Sequence, residues 1–530
     1  MSAVTGARTL LRANLRFDGR RFAPWIAIAT LLPVSSILAY PWVFPDATER
    51  AGLAAVIGGN PALGLVFGPA FDLSTNDGFT SWRSLALGGF LVALGAILTV
   101  VRAARGQEDS GQAELLASGV AGRASRLVAA VGTAFLGSLA AGVVSGVATA
   151  LCGGHWQDSL LLGATFTASG WLFAALAAVT SQLGTDARAA TTLAVAILGG
   201  LFLARGLAYA LSADDWTIWA NPLGWLTETR PASGDDWWPL APAVGLALVL
   251  LGVAFVLQLR RDFGQGLIAT RPGPARGRIR SVWGLAWRLN VGTIVAWLAA
   301  FALLGVVFGY FARSVHTILE DNPAVAQILA AGAVDKASLT SEFLTTILSL
   351  VGIVAAIGGV QIVHRVRAEE LDDRLEIVLA GAVSRPRAYL AHVAVAAIST
   401  AVFVLLTGLG IAWLAATGDV GVEFGDAVLQ AVVTVPAVWT VVAVAVAVTG
   451  AHPAVSLAAW AGVLISFVLT LLGPTFKLWD SILAISPFWH VPSVTDANAD
   501  WWGLVWISLV TLALGAIGVV GFRRRDIGAG

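Results

Sequence analysis

The residues of this chain that could do chemistry are few, and the densest group is charged. Arg105, Glu108, Glu114 and Arg123 lie in one polar segment, RGQEDSGQAELLASGVAGR, set between two long apolar runs. The same residue types return 262 positions later as Arg367, Glu370, Glu376 and Arg385 in RAEELDDRLEIVLAGAVSR, with Gly119 matching Gly381. In the second copy Leu371, Leu375 and Val378 add an apolar stripe at helical spacing, and Leu115 and Leu116 begin the equivalent stripe in the first. A short charged helix with one apolar stripe has a surface suited to docking on another protein. The plainer alternative is a surface helix resting on lipid headgroups, where several carboxylates sit poorly against an anionic leaflet.

Other chemistries lack their residues. No G-x-x-x-x-G-K-[ST] phosphate loop occurs, and Lys336 and Lys477 are the only lysines. The six histidines, His155, His316, His364, His392, His452 and His490, are scattered without ligand spacing, and Cys152 stands alone. No metal site, no nucleophile motif and no catalytic residue is expected. A formal net charge of zero argues against a nucleic-acid partner. Carboxylates deep inside apolar spans, the mark of proton- or sodium-coupled carriers, are missing. Arg205 is the deepest charge, a turn or two from the outer end of its span; it either has a function there or snorkels to the outer boundary.

The elements that must position these segments are membrane helices. Of 530 residues 57% are hydrophobic and 12% charged, and the mean hydropathy is +0.81. A run of about 20 apolar residues crosses a bilayer as a helix, whereas a barrel would alternate over about ten. The fold class expected is therefore an all-α polytopic membrane protein. Twelve transmembrane helices are expected, near 24–44, 84–103, 127–151, 158–182, 189–211, 239–259, 291–312, 343–365, 389–416, 425–449, 453–473 and 502–522. With the N-terminus inside, 25 of the 32 basic residues fall on inner segments and 7 on outer ones, so both termini are expected to be cytoplasmic. Trp216, Trp219, Trp225, Trp237 and Trp238, and later Trp479, Trp489, Trp501 and Trp502, gather at the outer boundary as an interfacial belt would. Residues 6–21 carry Arg8, Arg12 and Arg16 on one stripe, which fits an interfacial amphipathic helix or a simple positive-inside anchor. The apolar run after them is too long for a cleaved signal. Gly142-Val-Val-Ser-Gly146 is a candidate close-packing face.

The chain reads as a duplication. Arg260-Arg261-Asp262-Phe263-Gly264 returns as Arg524-Arg525-Asp526-Ile527-Gly528, and Trp237-Trp238 as Trp501-Trp502. Asn221-Pro222-Leu223 corresponds to Ser486-Pro487-Phe488, and Leu15-Arg16 through Trp25 to Trp287-Arg288 through Trp297. Six spans per half is an even number, so the halves are parallel repeats. The expected divisions are an N-terminal interfacial helix over 1–23, a first half over 24–259, a cytoplasmic linker over 260–285, a second half over 286–522 and a tail over 523–530.

An N-terminal amphipathic helix, six spans per half and a short inner helix between the second and third span resemble the ABC-2 class of ABC-transporter permeases. The duplicated form is similar, more narrowly, to actinobacterial permeases described as exporters of polyketide antibiotics, the tetronasin-resistance type. QEDSGQAELLASGVAGR, RAEELDDRLEIVLAGAVSR and the two RRD-x-G ends carry the resemblance, which covers nearly the whole chain. It implies that the inner helices, with Arg105, Glu108, Glu114, Arg123, Arg367, Glu370, Glu376 and Arg385, couple to two copies of a separately encoded ATPase. That partner would bind ATP and Mg, and this chain would hold no cofactor and lie in the cell membrane. The resemblance also implies a hydrophobic small-molecule substrate and a cavity lined by the second, fifth, eighth and eleventh spans. Candidate lining residues are Phe90, Thr191, Phe202, Phe343, Thr346, Trp460, Ser466 and Phe467; each taken singly also fits lipid contact or helix packing. An ion-coupled transporter, an exporter of an endogenous lipid, and a membrane enzyme or structural component are the competing classes.

Overall fold

The computed structural model of the protein describes residues 3–46, 50, 61–117, 122–211, 213–261, 266–268, 277, 279–321, 336–417, 423–456, 458–471, 479–496 and 499–526. Side chains at 43, 61–63, 115–117, 311–343 and 471 also fall outside the description. All regular structure among the described residues is helical. Among the described residues eleven helices are long and apolar enough to cross a membrane. The chain divides into two compact units, Met1–Gly273 and Pro274–Gly530.

In the first unit the order is α1 (Ala7–Phe17), α2 (Ala23–Val43), α3 (Pro61–Phe67), α4 (Asn76–Val101) and α5 (Gln112–Ala117). Then come α6 (Ser125–Leu151), α7 (Trp156–Leu183), α8 (Ala187–Ala210), α9 (Pro222–Thr227) and α10 (Leu240–Arg260). The helix α7 is the hub: it packs against α4, α6, α8 and α10. Small residues make this possible. A Cβ on Gly142 of α6 would collide with the Gly163 carbonyl and the Thr167 hydroxyl of α7, so the face expected at Gly142 is a real close approach of two backbones. The amphipathic α1 lies against α6, with Leu11 over Gly132, and keeps Arg8, Arg12 and Arg16 exposed.

The second unit runs α11 (Val282–Asp321), α12 (Lys336–Leu371), α13 (Arg374–Leu379), α14 (Arg385–Ala416), α15 (Phe424–Ala451), α16 (Ala458–Leu471) and α17 (Trp502–Arg524). Here α15 is the hub, packed against α12, α14, α16 and α17. The fourth long helix is thus central in each unit. The sixth, α10 or α17, is peripheral, with leucines and valines such as Leu248, Val249, Leu509 and Leu512 exposed.

Eleven of the expected spans meet a long helix. The stretch 453–473 does not: its described helix, α16, has 14 residues, about 21 Å at 1.5 Å per residue, short of a 30 Å hydrocarbon core. Several helices begin earlier than hydropathy suggests because their first turns are polar. Asn76 and Asp77 open α4, where the Thr75 hydroxyl caps the helix by accepting from the Gly78 N–H at 3.1 Å. The Ser281 hydroxyl does the same for α11 through Gly284 at 3.1 Å.

Candidate functional site: the roots of the two inner segments

Each inner segment leaves the second long helix of its unit through a buried carboxylate. In the first unit α4 ends and a π-helical turn, Arg102–Gly106, widens the helix. That turn swings Arg105 inward until it is 1% exposed. One Arg105 nitrogen donates to Glu108 at 2.7 Å, and another to the carbonyl of Thr185 in the turn between α7 and α8. Glu108, its side chain 3% exposed, also accepts from Arg126 at 2.7 Å and from Arg261 at 2.5 Å. Arg126 lies in the first turn of α6, and Arg261 directly follows α10. One carboxylate therefore gathers the C-terminal ends of α4 and α10 and the N-terminal end of α6, and Arg105 adds the α7–α8 turn.

The second unit builds the same knot from the repeated residues. Glu370, with its side chain fully buried, meets the Arg525 guanidinium with both oxygens, at 2.5 Å and 2.8 Å, and Arg367 at 3.2 Å. Arg525 directly follows α17 and also donates to the Gly450 carbonyl at the end of α15, at 2.9 Å. Arg385, in the first turn of α14, donates to the carbonyl of Arg525 at 3.0 Å. A fork-to-fork guanidinium–carboxylate pair fixes direction as well as distance. In the sequence the two RRD-x-G ends and the two charged segments are separate repeats; in the structure they are halves of one device. Of those ends, Asp262, Phe263, Gly264, Ile527 and Gly528 lie outside the described residues.

The eight charged candidates thus fall into two groups. Arg105, Glu108, Arg367 and Glu370 are buried or nearly so and are consumed by contacts within the chain. Glu114, Arg123, Glu376 and Arg385 are exposed. Glu114 and Glu376 sit in the first turns of α5 and α13, where a carboxylate also complements the helix dipole. Along the second stripe Leu375 is buried, Leu371 is exposed, and Ile377, which the stripe omitted, is 77% exposed. The side chains of Leu115 and Leu116, and Gly119, lie outside the described residues.

The cavity candidates are only partly brought together. Phe90 of α4 and Phe202 of α8 meet edge to face with ring centres 5.0 Å apart, beside Arg205 in a small pocket. Thr191 lies on the same helix as Phe202 but 11 residues away, about 16 Å along the axis, and its hydroxyl donates to Ala187. In the second unit the Trp460 ring lies 5.9 Å from the His364 ring, Ser466 is buried, and Thr346 and Phe467 are exposed. The side chain of Phe343 lies outside the described residues. Arg205 does not snorkel: it is 2% exposed, donates to the Val66 carbonyl at 2.9 Å and lies over the Phe202 ring at 4.7 Å. Hydropathy missed the cause, because α3 folds back onto α8 at Gly206, where any Cβ would strike the Leu65 carbonyl.

Comparison with known proteins agrees with this architecture. A family described as "Multidrug efflux system permease Rv1217c, C-terminal domain" matches residues 50–257 and 279–523. The multidrug efflux system permease protein Rv1217c of Mycobacterium tuberculosis (strain ATCC 25618 / H37Rv) is 36% identical over 538 residues, covering 99% of this chain and 96% of the relative.

Proposed function

Because the chain belongs to the multidrug efflux system permease family, we propose that it is the membrane subunit of an ATP-driven exporter of hydrophobic, drug-like molecules. In this reading the chain spans the cell membrane twelve times as two parallel six-helix repeats, both termini are cytoplasmic, and α16 with the residues after it supplies the eleventh span. Twenty-five of 32 basic residues on the inner side support that orientation. The family match on two stretches supports the duplication. So do the shared hub positions of α7 and α15. The narrower kinship with polyketide-antibiotic exporters of the tetronasin-resistance type rests on the inner-segment and RRD-x-G motifs.

Energy enters, in this proposal, at α5 and α13. Two copies of a separate ATPase, which bind ATP and Mg, dock on these short helices. The observation that carries the reading is the pair of buried knots. Each inner segment is tied at its root, through Glu108 or Glu370, to the arginine that follows the sixth long helix of its unit. A push on α5 or α13 is then transmitted to several helix ends at once instead of being absorbed by a loose loop. Exposed Glu114 and Glu376 are the contact residues; Glu108 and Glu370 act behind them as positioning residues. The missing mid-span carboxylates disfavour ion coupling.

The test uses the permease purified with its ATPase. In the double variant Glu114→Arg, Glu376→Arg, drug-stimulated ATP hydrolysis is expected to fall to the basal rate while thermal stability is retained. Undiminished stimulation rejects the docking assignment. Sustained drug transport by the permease alone, without ATP, rejects ATP-driven export altogether.

A further inference from the structure

Arg205 is a cation buried, among the described residues, without a counter-ion. Among the described residues no carboxylate lies within ion-pair distance of it, and its Nε–H has no acceptor. Glu228, which accepts from Tyr209 one turn beyond Arg205, is already engaged by that hydroxyl at 2.8 Å and by Arg230. A buried, half-satisfied guanidinium is costly unless something anionic completes it.

The surroundings form a pocket. Phe90, Phe202 and Leu85 supply apolar walls, and Ser169 and Thr227 line the same pocket as Arg205. The hydroxyls there already donate to helix carbonyls: Ser169 to Gly89 at 2.9 Å and Thr227 to Leu223 at 3.0 Å. The outstanding donor is therefore Arg205 itself. Backbone approach is arranged around it, since Gly68 stands at φ +91, where a Cβ would touch the Arg205 Nη1 at 3.4 Å.

The second unit lacks this site. In the register that matches Arg105 to Arg367, Phe90 corresponds to Gly352. The ring of Phe488 fills that place, 2.6 Å from where a Gly352 Cβ would stand. In the register that matches Asn221-Pro222 to Ser486-Pro487, Arg205 corresponds to Thr470, whose hydroxyl pairs with Ser486 at 2.9 Å. Among the described residues, the cation and its pocket are thus a departure from the internal repeat.

We propose that the Arg205 pocket is an anion-recognition subsite that takes the carboxylate or phosphate head of an apolar molecule, with the body of the molecule against Phe90 and Phe202. The proposal rests on the export reading for its purpose and names a substrate class within it: amphipathic acids. The guanidinium is planar and its Nε–H has no acceptor while Nη2 stays on Val66, so a carboxylate reaching it would complete the set.

The experiment measures binding to the full-length permease, without its ATPase, in phosphatidylcholine vesicles at pH 8. The probes are pyrenebutyric acid and its methyl ester, read by energy transfer from tryptophan and referred to protein-free vesicles. The acid is expected to bind about tenfold more tightly than the ester, the scale of one charge-assisted hydrogen bond. Arg205→Gln should erase that preference, and Arg205→Lys should keep part of it. Equal affinity of the unmodified protein for acid and ester overturns the proposal, and that comparison needs no variant to fold. Replacing part of the lipid by phosphatidylglycerol identifies the source of the anion. Loss of acid binding shows that a lipid headgroup competes for the site, and unchanged binding assigns it to free amphipathic acids; either result upholds the anion site. Because no ATPase is present, failure of the export reading would show in the ATP-hydrolysis experiment and leave this measurement unaffected.

Discussion

At the scale of single residues, burial separates two kinds of charge that look alike in the sequence. Glu108 and Glu114 lie six apart, and both seemed fit to face a partner. Glu108 is enclosed by Arg105, Arg126 and Arg261, while Glu114 is exposed. Removing one member of such a buried pair strands the other in a low-dielectric setting, at a cost of about 3–5 kcal/mol. Glu370→Ala should therefore lower the thermal midpoint of the purified permease markedly. Adding Arg525→Met should recover part of that loss, because the stranded charge is then gone. A Glu370→Ala protein as stable as the parent would show that the knot carries no stability. One signal for the pairing was already present in the sequence. The inner segments and the RRD-x-G ends repeat at nearly the same offset, 262 and 264, as parts of a shared device would.

At the scale of elements, periodicity and hydropathy locate most helices but not their ends or their depth of packing. Thr75, Ser281 and Ser384 mark starts that lie outside the apolar windows, because the first turns of α4 and α14 are polar or charged and Arg288 and Asn290 interrupt the opening of α11. Hydropathy also ranks α10 as the more apolar, at 2.6 against 1.6 for α7, although α7 is the hub and α10 is largely exposed along one face. Small residues are the better guide. Gly142 and Gly163 let α6 and α7 touch backbone to backbone. Gly142→Leu should thus force the two helices apart and destabilise the permease by about 1–3 kcal/mol or more. Gly245→Leu on α10, where a Cβ meets open space, should leave it unchanged. Comparing the two variants in one thermal-unfolding assay checks the helix contact rather than a general effect of added bulk.

At the scale of the whole molecule, the chain is two units with separate cores. One core joins residues of α4, α6, α7, α8 and α10, and the other joins residues of α11, α12, α14, α15 and α17. Cutting the peptide chain at a protease site inserted among residues 270–276 should leave both units folded in the membrane, each with its own knot at Glu108 or Glu370. Unfolding of either fragment, read as loss of protease protection, would show that the units do not hold themselves together. The duplicated plan also makes the departures informative. Arg205 against Thr470, and Phe90 against Gly352, are positions where the proposed anion site has no counterpart in the matching register.

The sequence by itself determined the helical membrane class and picked out the recurring motifs and the two charged segments. Those properties are written in local hydropathy, charge bias and self-similarity, each measurable without knowing what touches what. Only the tertiary structure decided which charges face outward, that Arg205 is buried and not drawn to the surface, and that Glu108 is joined to Arg261 across 153 residues. Contacts of that kind depend on how helices pack. A single backbone feature, such as the π-helical turn that carries Arg105 inward or the return of α3 onto Gly206, redirects a side chain without changing the pattern of residues along the chain.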